Sequence, residues 1–320
     1  MSDPEHIFMT RKVEPHQTSA RFDQVLAEIM PEYSRAKLQS WIKSGQIRLD
    51  DRTVKPKEKV LEGQTITVDV IVESVVNYEK AESVDFDVVY EDEALIIVNK
   101  PAGLVVHPAA GNYSNTLLNG LLHKYPELEA VPRAGIVHRL DKDTTGLMVV
   151  ARTLPAHANL VAQLQERTVS RHYHALVHGV MTAGSTIETL IGRHPKNRQK
   201  QAVLAVGGKD AITHYRVEER FAHHTLIRCE LETGRTHQIR VHMAHAGYPL
   251  VGDPLYGGRP KIPKGASKAQ IAALQNFGRQ ALHAFRLGLV HPVSEDYCEW
   301  EIPDAPDIEA LMSLLKQEPE

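Results

Sequence analysis

The chain has 320 residues, 42% hydrophobic and 24% charged, a composition that fits a globular protein and not a disordered or fibrous one, with two domains as the expectation from length. Its two cysteines, Cys229 and Cys298, exclude a disulfide framework and a C-x-x-C metal pair, and no run approaches the roughly 18 apolar residues of a membrane span. The N-terminus has no signal-peptide pattern, so the expected location is cytoplasmic. The formal net charge is −3, yet the charge is unevenly spread. Residues 31–60 carry eight bases against four acids, residues 73–93 eight acids against one base, and residues 254–294 six bases and no acid. Basic zones of this kind can steer a polyanion even in a near-neutral chain.

Residues 18–75 are expected to form a small α/β module. Phe22, Val25, Leu26 and Ile29 have helical spacing. A second helix carries Leu38, Trp41 and Ile42, with Ser34 as its N-cap and Gly45 just past its end, and it exposes Arg35, Lys37 and Lys43. Ile47–Leu49 and Thr65–Val70 read as strands, the first ending in an Asp50-Asp51 turn. This order, with Val54-Lys55-Pro56 and Gly63-Gln64 at its turns, resembles an S4 RNA-binding domain. The resemblance implies that Arg35, Lys37 and Lys43 meet RNA.

Residues 76–86 are acidic and aperiodic and read as a linker. Residues 87–315 then form the larger domain. Short β-rich runs appear at 88–90, 95–98, 135–137, 147–150, 173–177, 213–217 and 226–231, with helices at 116–125, 155–166, 236–245 and 307–316. Strands outnumber helices, and few strand pairs are joined by a single helix. The fold class is therefore α+β: a mixed, mainly antiparallel sheet with flanking helices.

Three clusters carry candidate chemistry. The first, Asn99-Lys100-Pro101-Ala102-Gly103, reads by itself as an ordinary strand-to-loop connection. In the second, a strand over Gly135–Val137 is expected to deliver His138-Arg139-Leu140-Asp141, followed by the polar loop Lys142-Asp143-Thr144-Thr145 and Gly146. Asp141 admits three readings: a reactive carboxylate, a metal ligand, or turn chemistry. The metal reading is weak, because Asp-Lys-Asp lacks a third carboxylate nearby. The third cluster, Gly234-Arg235-Thr236-His237-Gln238-Ile239-Arg240, follows a strand, and Thr236 is the expected cap of the next helix. Arg235 and Arg240 suit bidentate contact with a carboxylate or phosphate. His237, His242 and His245 do not follow a metal-ligand spacing. No Gly-rich nucleotide loop is present, so no cofactor and no metal are expected, and the chemistry falls to side chains alone.

Taken together, these motifs resemble the RluA family of pseudouridine synthases. The pieces are the Asn-Lys-Pro-x-Gly run, His138-Arg139-Leu140-Asp141-x-x-Thr144-x-Gly146, the run Gly234 to Arg240, and Gly247-Tyr248-Pro249-Leu250-Val251-Gly252-Asp253, in the family's order and over residues 18–300. Two local runs, Val131 to Val137 and Arg259 to Ser267, match the branch that acts on large-subunit ribosomal RNA. The resemblance implies isomerisation of uridine to pseudouridine in that RNA or its precursor particle, at the stem-loop called helix 69, by a monomer that needs no cofactor. It makes Asp141 the catalytic carboxylate and places Arg139 beside it, bracing the gap left by a flipped-out base. His138 and Arg235 join the RNA contacts. Tyr173 stacks on the uracil or helps remove its C5 proton. Arg240 is expected to keep Asp141 ionised. One departure is His172, where Glu or Lys is also familiar. Arg193, Lys196 and Arg198 sit in a basic loop suited to phosphates. The competing readings are a synthase for other rRNA or tRNA sites, a non-catalytic RNA-binding assembly factor, and a metal-dependent nuclease.

Overall fold

Apolar side chains at i, i+3 and i+4 drive the first helices of the chain. The computed structural model describes residues 5–31, 33, 35–72, 80–109, 111–258 and 262–317. It divides into two compact units, Met1–Asn77 and Tyr78–Glu320. In the first, α1 (Phe22–Ile29) and α2 (Arg35–Ser44) bury Phe22, Leu26, Leu38 and Ile42 completely. Each such side chain contributes roughly 1.5–3 kcal/mol. They pack on a three-stranded antiparallel sheet of β1 (Glu5–Lys12), β2 (Ile47–Leu49) and β3 (Thr65–Val72), with β3 central. α2 ends as expected: Gly45 adopts φ +77°, and the Gln46 N–H reaches back to Trp41 O at 3.0 Å. Asp50 and Asp51 both have positive φ, the signature of a tight two-residue turn, which the bridge between Leu49 and Arg52 closes. Strand β1 lies before residue 18, so the unit starts earlier than the sequence pattern suggests. The expected cap Ser34 lies outside the described residues, as do residues 73–79 and Arg259, Pro260 and Lys261.

Among the described residues the second unit is built on ten strands. In chain order these are β4 (Asp87–Glu91), β5 (Leu95–Lys100), β6 (Thr145–Ala151), β7 (Ser170–His178), β8 (Ser185–Arg193), β9 (Gln201–Leu204), β10 (Lys209–Arg220), β11 (His224–Leu231), β12 (Leu282–Val290) and β13 (Tyr297–Glu301). They lie in the spatial order β4-β5-β6-β12-β7-β11-β10-β8-β9, with β13 paired to β12. Every pairing is antiparallel except β6 with β12, where Thr145 and Gly146 face His283 and Ala284. This mixed, mainly antiparallel sheet is the α+β class expected. Helices cover both faces. α3 (Leu117–Lys124) and α5 (Gln238–His245) pack on one cluster with Ile96, Val98, Met148 and Val150. α4 (Leu154–Glu166) packs on another with Ile97, Val149, Leu287 and Leu289. α6 (Lys268–Asn276) and α7 (Pro306–Leu315) close a third with Leu176 and Val251. Among the described residues no helix is long and apolar enough to cross a membrane.

Two expectations change here. Residues 80–86 do not hang free as a linker: Val84 and Phe86 pack on the core beside α3, and Asn119 Nδ2 donates to Lys80 O at 2.7 Å. Residues 135–137 are not a strand. Arg133, Ala134 and Gly135 take left-handed φ values of 55°, 51° and 77°, and only Ile136 forms a bridge, to Val150. The chain thus enters the Asp141 loop from a left-handed turn, a conformation that Arg and Ala give no local signal for.

Candidate active site

Leu140 is buried and pins the loop, leaving Arg139 exposed on one side and Asp141 partly exposed on the other. A turn comes next, with Thr144 N–H donating to Asp141 O at 3.1 Å. The exit is fixed by Gly146, at φ +114°, where a Cβ would sit 2.2 Å from Ala284 O. Only glycine allows β6 to approach β12 so closely.

Helix α5 delivers the partner of Asp141. Arg240 Nη1 donates to Asp141 Oδ2 at 2.9 Å, joining residues 99 positions apart. The other edge of the same guanidinium forks onto Asp253, with Nε–Oδ2 at 2.7 Å and Nη2–Oδ1 at 2.9 Å. Asp253 Oδ1 also accepts from the N–H groups of Leu255 and Tyr256. The Asp253 side chain has no exposed surface, that of Arg240 has 4%, and that of Asp141 has 16%. The triad therefore opens outward only at Asp141. Among the described residues Asp141 Oδ1 accepts no hydrogen bond, so one carboxylate oxygen is available to react.

The electrostatics arise from burial and pairing. Burial works against the charge of Arg240, but the hydrogen bonds and charges of Asp253 and Asp141 outweigh it and raise its pKa. Burial likewise pushes the Asp253 carboxyl up, and Arg240 with the two backbone N–H groups brings it below the ordinary value. Asp141, a locked guanidinium and a second carboxylate form a triad whose solvent-facing end is Asp141.

The N-terminus of α5 differs from expectation. Thr236 is exposed and does not cap; His237 holds the N-cap position at φ +58°, strained for a bulky residue. Gln238 makes the bend instead. Its Oε1 accepts from Arg235 N–H and the Thr233 hydroxyl, and its Nε2 donates to Ile212 O and Thr213 Oγ1. The strain turns His237 toward the site, with Nε2 3.9 Å from Asp141 Oδ2 and Nδ1 2.8 Å from the Tyr256 hydroxyl. That hydroxyl accepts from Gln201 N–H at the start of β9, which leaves its proton free to donate to Nδ1. Burial lowers the pKa of His237, with Asp141 opposing, so the ring is neutral near pH 7.

Tyr173 lies on β7 opposite Ala284 and Cys229 and is 6% exposed. Burial raises its pKa, Arg171 opposes, and the charge of Asp141 adds. Arg171 is buried too; its Nη2 donates to Leu231 O and Glu232 O and so holds the start of the α5 loop. His138, expected among the RNA contacts, is half-buried and tied to the sheet. Its Nε2 accepts from Val149 N–H at 3.2 Å, and burial lowers its pKa to about 3, so the ring anchors the loop to β6.

The remaining expected residues are spread out. Arg139 is exposed and makes no hydrogen bond among the described residues. Arg235 is tied by Nε to Asp210 O at 2.8 Å. Arg193, Lys196 and Arg198 are exposed on the β8–β9 hairpin, whose loop end meets Tyr256 through the Gln201 N–H. Arg35, Lys37 and Lys43 are exposed on the first unit. His242 and His245 do not join His237 as ligands: His242 is buried between the hydroxyls of Thr189 and Thr213, and His245 is exposed. Among the described residues no group of three or more His, Cys, Asp or Glu is arranged to hold a metal. Sequence reasoning missed Tyr256 and the pairing of Asp253 with Arg240. Asp253 did stand in a matched motif, which was the available signal.

Comparisons with known proteins identify the relatives of the chain. A family model described as RNA pseudouridylate synthase matches residues 94–245, and the S4 domain model matches residues 20–66. The chain is 51% identical to ribosomal large subunit pseudouridine synthase D of Escherichia coli (strain K12), over 98% of this chain and 95% of that one. It is 54% identical to the protein of that name from Pseudomonas aeruginosa, over 94% and 93%. Human RNA pseudouridylate synthase domain containing 1 superposes with a TM-score of 0.54 at 25% identity, covering 75% of this chain and 90% of its own. Human RNA pseudouridylate synthase domain containing 4 shares the fold, with a TM-score of 0.56 at 22% identity, covering 73% and 94%.

Proposed function

The chain belongs to the RluA family of RNA pseudouridine synthases, and from that membership we propose that it modifies helix 69 of the large-subunit ribosomal RNA with Asp141 as the reacting carboxylate. The reaction breaks the N1–C1′ bond of a uridine and forms a C5–C1′ bond, with no net change in composition. The observation that carries the reading is the Asp141–Arg240–Asp253 triad, open to solvent only at Asp141.

Each side chain has a task in this account. Arg240 pairs with Asp141 Oδ2 and, being locked by Asp253, holds that oxygen still while Oδ1 meets the nucleotide. Attack on the sugar or base and removal of a ribose proton are both open to that oxygen. The target base leaves its stack to enter the site, and the exposed Arg139 can fill the gap. Tyr173 supplies a flat apolar face for the uracil. Its raised pKa keeps the hydroxyl protonated, which favours stacking and hydrogen bonding over proton abstraction from C5. The neutral His237 offers an N–H beside Asp141. Arg193, Lys196 and Arg198 on the hairpin, and Arg35, Lys37 and Lys43 on the S4-like unit, meet phosphates.

The test is to incubate the purified chain, in EDTA, with large-subunit ribosomal RNA from cells lacking the enzyme and to map pseudouridines. New pseudouridine confined to helix 69 is expected. Product only at other sites would overturn the substrate assignment, and no product would overturn the enzymatic one.

A further inference from the structure

The loop carrying Asp141 is gripped at four consecutive residues, each time from outside the loop. Lys100 Nζ donates to Lys142 O at 2.8 Å, and its other two protons go to Pro101 O and Leu104 O. Arg279 Nη1 donates to Asp143 O at 3.1 Å. Gln280 Nε2 donates to the Thr144 hydroxyl at 3.0 Å. His283 Nδ1 lies 2.7 Å from the Thr145 hydroxyl, and its Nε2 lies 3.0 Å from Pro303 O. Three of the four grips come from the short stretch 279–283, which runs into the start of β12.

Arg279 is 8% exposed, and the rest of its guanidinium is committed to the C-terminal helix. Nε and Nη2 fork onto the two oxygens of Asp307, both at 2.7 Å, in the first turn of α7. One planar group thus spans α7 on one side and the backbone of Asp143 on the other. None of these side chains hydrogen-bonds the Asp141 carboxylate, so their effect on it passes through the loop backbone.

We propose that Arg279, oriented by Asp307, is a positioning residue that sets where Asp141 meets the nucleotide, and that α7 thereby acts on the chemical step and not on RNA affinity. A guanidinium freed from Asp307 has no fixed plane, and a lysine in its place cannot reach both partners with parallel N–H bonds. The loop then relaxes by a fraction of an ångström to an ångström, and misplacement of about 1 Å costs up to about 100-fold in rate.

The inference rests on Asp141 as the reacting carboxylate, so Asp141→Asn is measured alongside; an active Asp141→Asn enzyme would refute that reading independently. Single-turnover rate, RNA dissociation constant and Tm are compared for the full-length chain and for Arg279→Lys, Asp307→Asn and Asp307→Glu. Arg279→Lys is expected to slow turnover about 30-fold and Asp307→Asn about 5-fold, with affinity held within about 2-fold and Asp307→Glu restoring most of the rate. Asp307 is half exposed, so Asp307→Asn stays folded and informative even if Arg279→Lys does not. Unchanged turnover in Asp307→Asn, or losses matched by weaker RNA binding or by unfolding at the assay temperature, would overturn the proposal.

Discussion

The exposed cations of the first unit's second helix contrast with the buried cations at the second unit's site. On the first, Arg35, Lys37 and Lys43 are exposed along α2; Arg35 meets Asp23 at 3.4 Å, and Lys37 rests over the Trp41 ring. On the second, Arg240 and Arg279 are buried, and their donors are spent on carboxylates and carbonyls. An exposed cation is solvated and mobile, which suits a phosphate backbone whose register varies. A buried cation must be paired, and a forked guanidinium then acts as a rigid bracket. The same residue type is therefore suited to phosphate contact where it is exposed and to fixed geometry where it is buried.

That contrast can be attacked at several strengths. The largest effect should come from Asp253→Ala, which leaves Arg240 buried and half-paired. Loss of about 3–5 kcal/mol of stability is expected in denaturant melts. A stability change near zero would mean that Arg240 is not a bracket. The same carboxyl makes a pH test. Its folded pKa is depressed, so its contribution is complete above the unfolded value of 3.8 and drains as pH falls through the lower folded one. Asp253→Asn should therefore show a weaker loss of Tm on acidification below about pH 4 than the parent chain does. Next in size is Arg240→Lys, which keeps the charge but loses the fork; turnover should fall about 100-fold with RNA affinity within a few-fold. Parallel losses in rate and affinity would blur the division between the units.

Smaller effects belong to the exposed cations. Replacing Arg35, Lys37 and Lys43 with alanine should weaken RNA binding, flatten the salt dependence by about 2–3 in log–log slope, and leave single-turnover rate at saturating RNA unchanged. An unaltered slope would remove the first unit from the phosphate interface. Lys196→Ala with Arg198→Ala should lower the slope by about 1–2, the mildest change of the set.

Much of this arrangement was visible in the sequence because short-range chemistry wrote it there. Gly45, the Asp50-Asp51 turn and the apolar spacing of α1 and α3 encode local geometry. The pairing of Asp141 with Arg240 was legible because each residue stands in its own motif. The rest depended on tertiary contacts. Strand β12 is buried on both faces, so it lacks alternation, and β8 is only partly covered on either, which leaves both without a period-2 signal. The left-handed turn at Arg133 and Ala134 is imposed by the surrounding fold. The hydrogen bond between the His138 ring and the Val149 N–H is likewise a tertiary contact with no local signal. Arg279 sat in a basic stretch that read as a surface zone, and only the fold reveals its fork to Asp307.

The most direct test of the central claim is the single-turnover rate of Asp141→Asn on helix 69 RNA, measured beside its RNA affinity and Tm. The isosteric change removes the charge and leaves the amide oxygen able to accept from Arg240. Product formation should vanish while affinity and folding persist, and retained turnover would contradict the assignment of Asp141 as the reacting group.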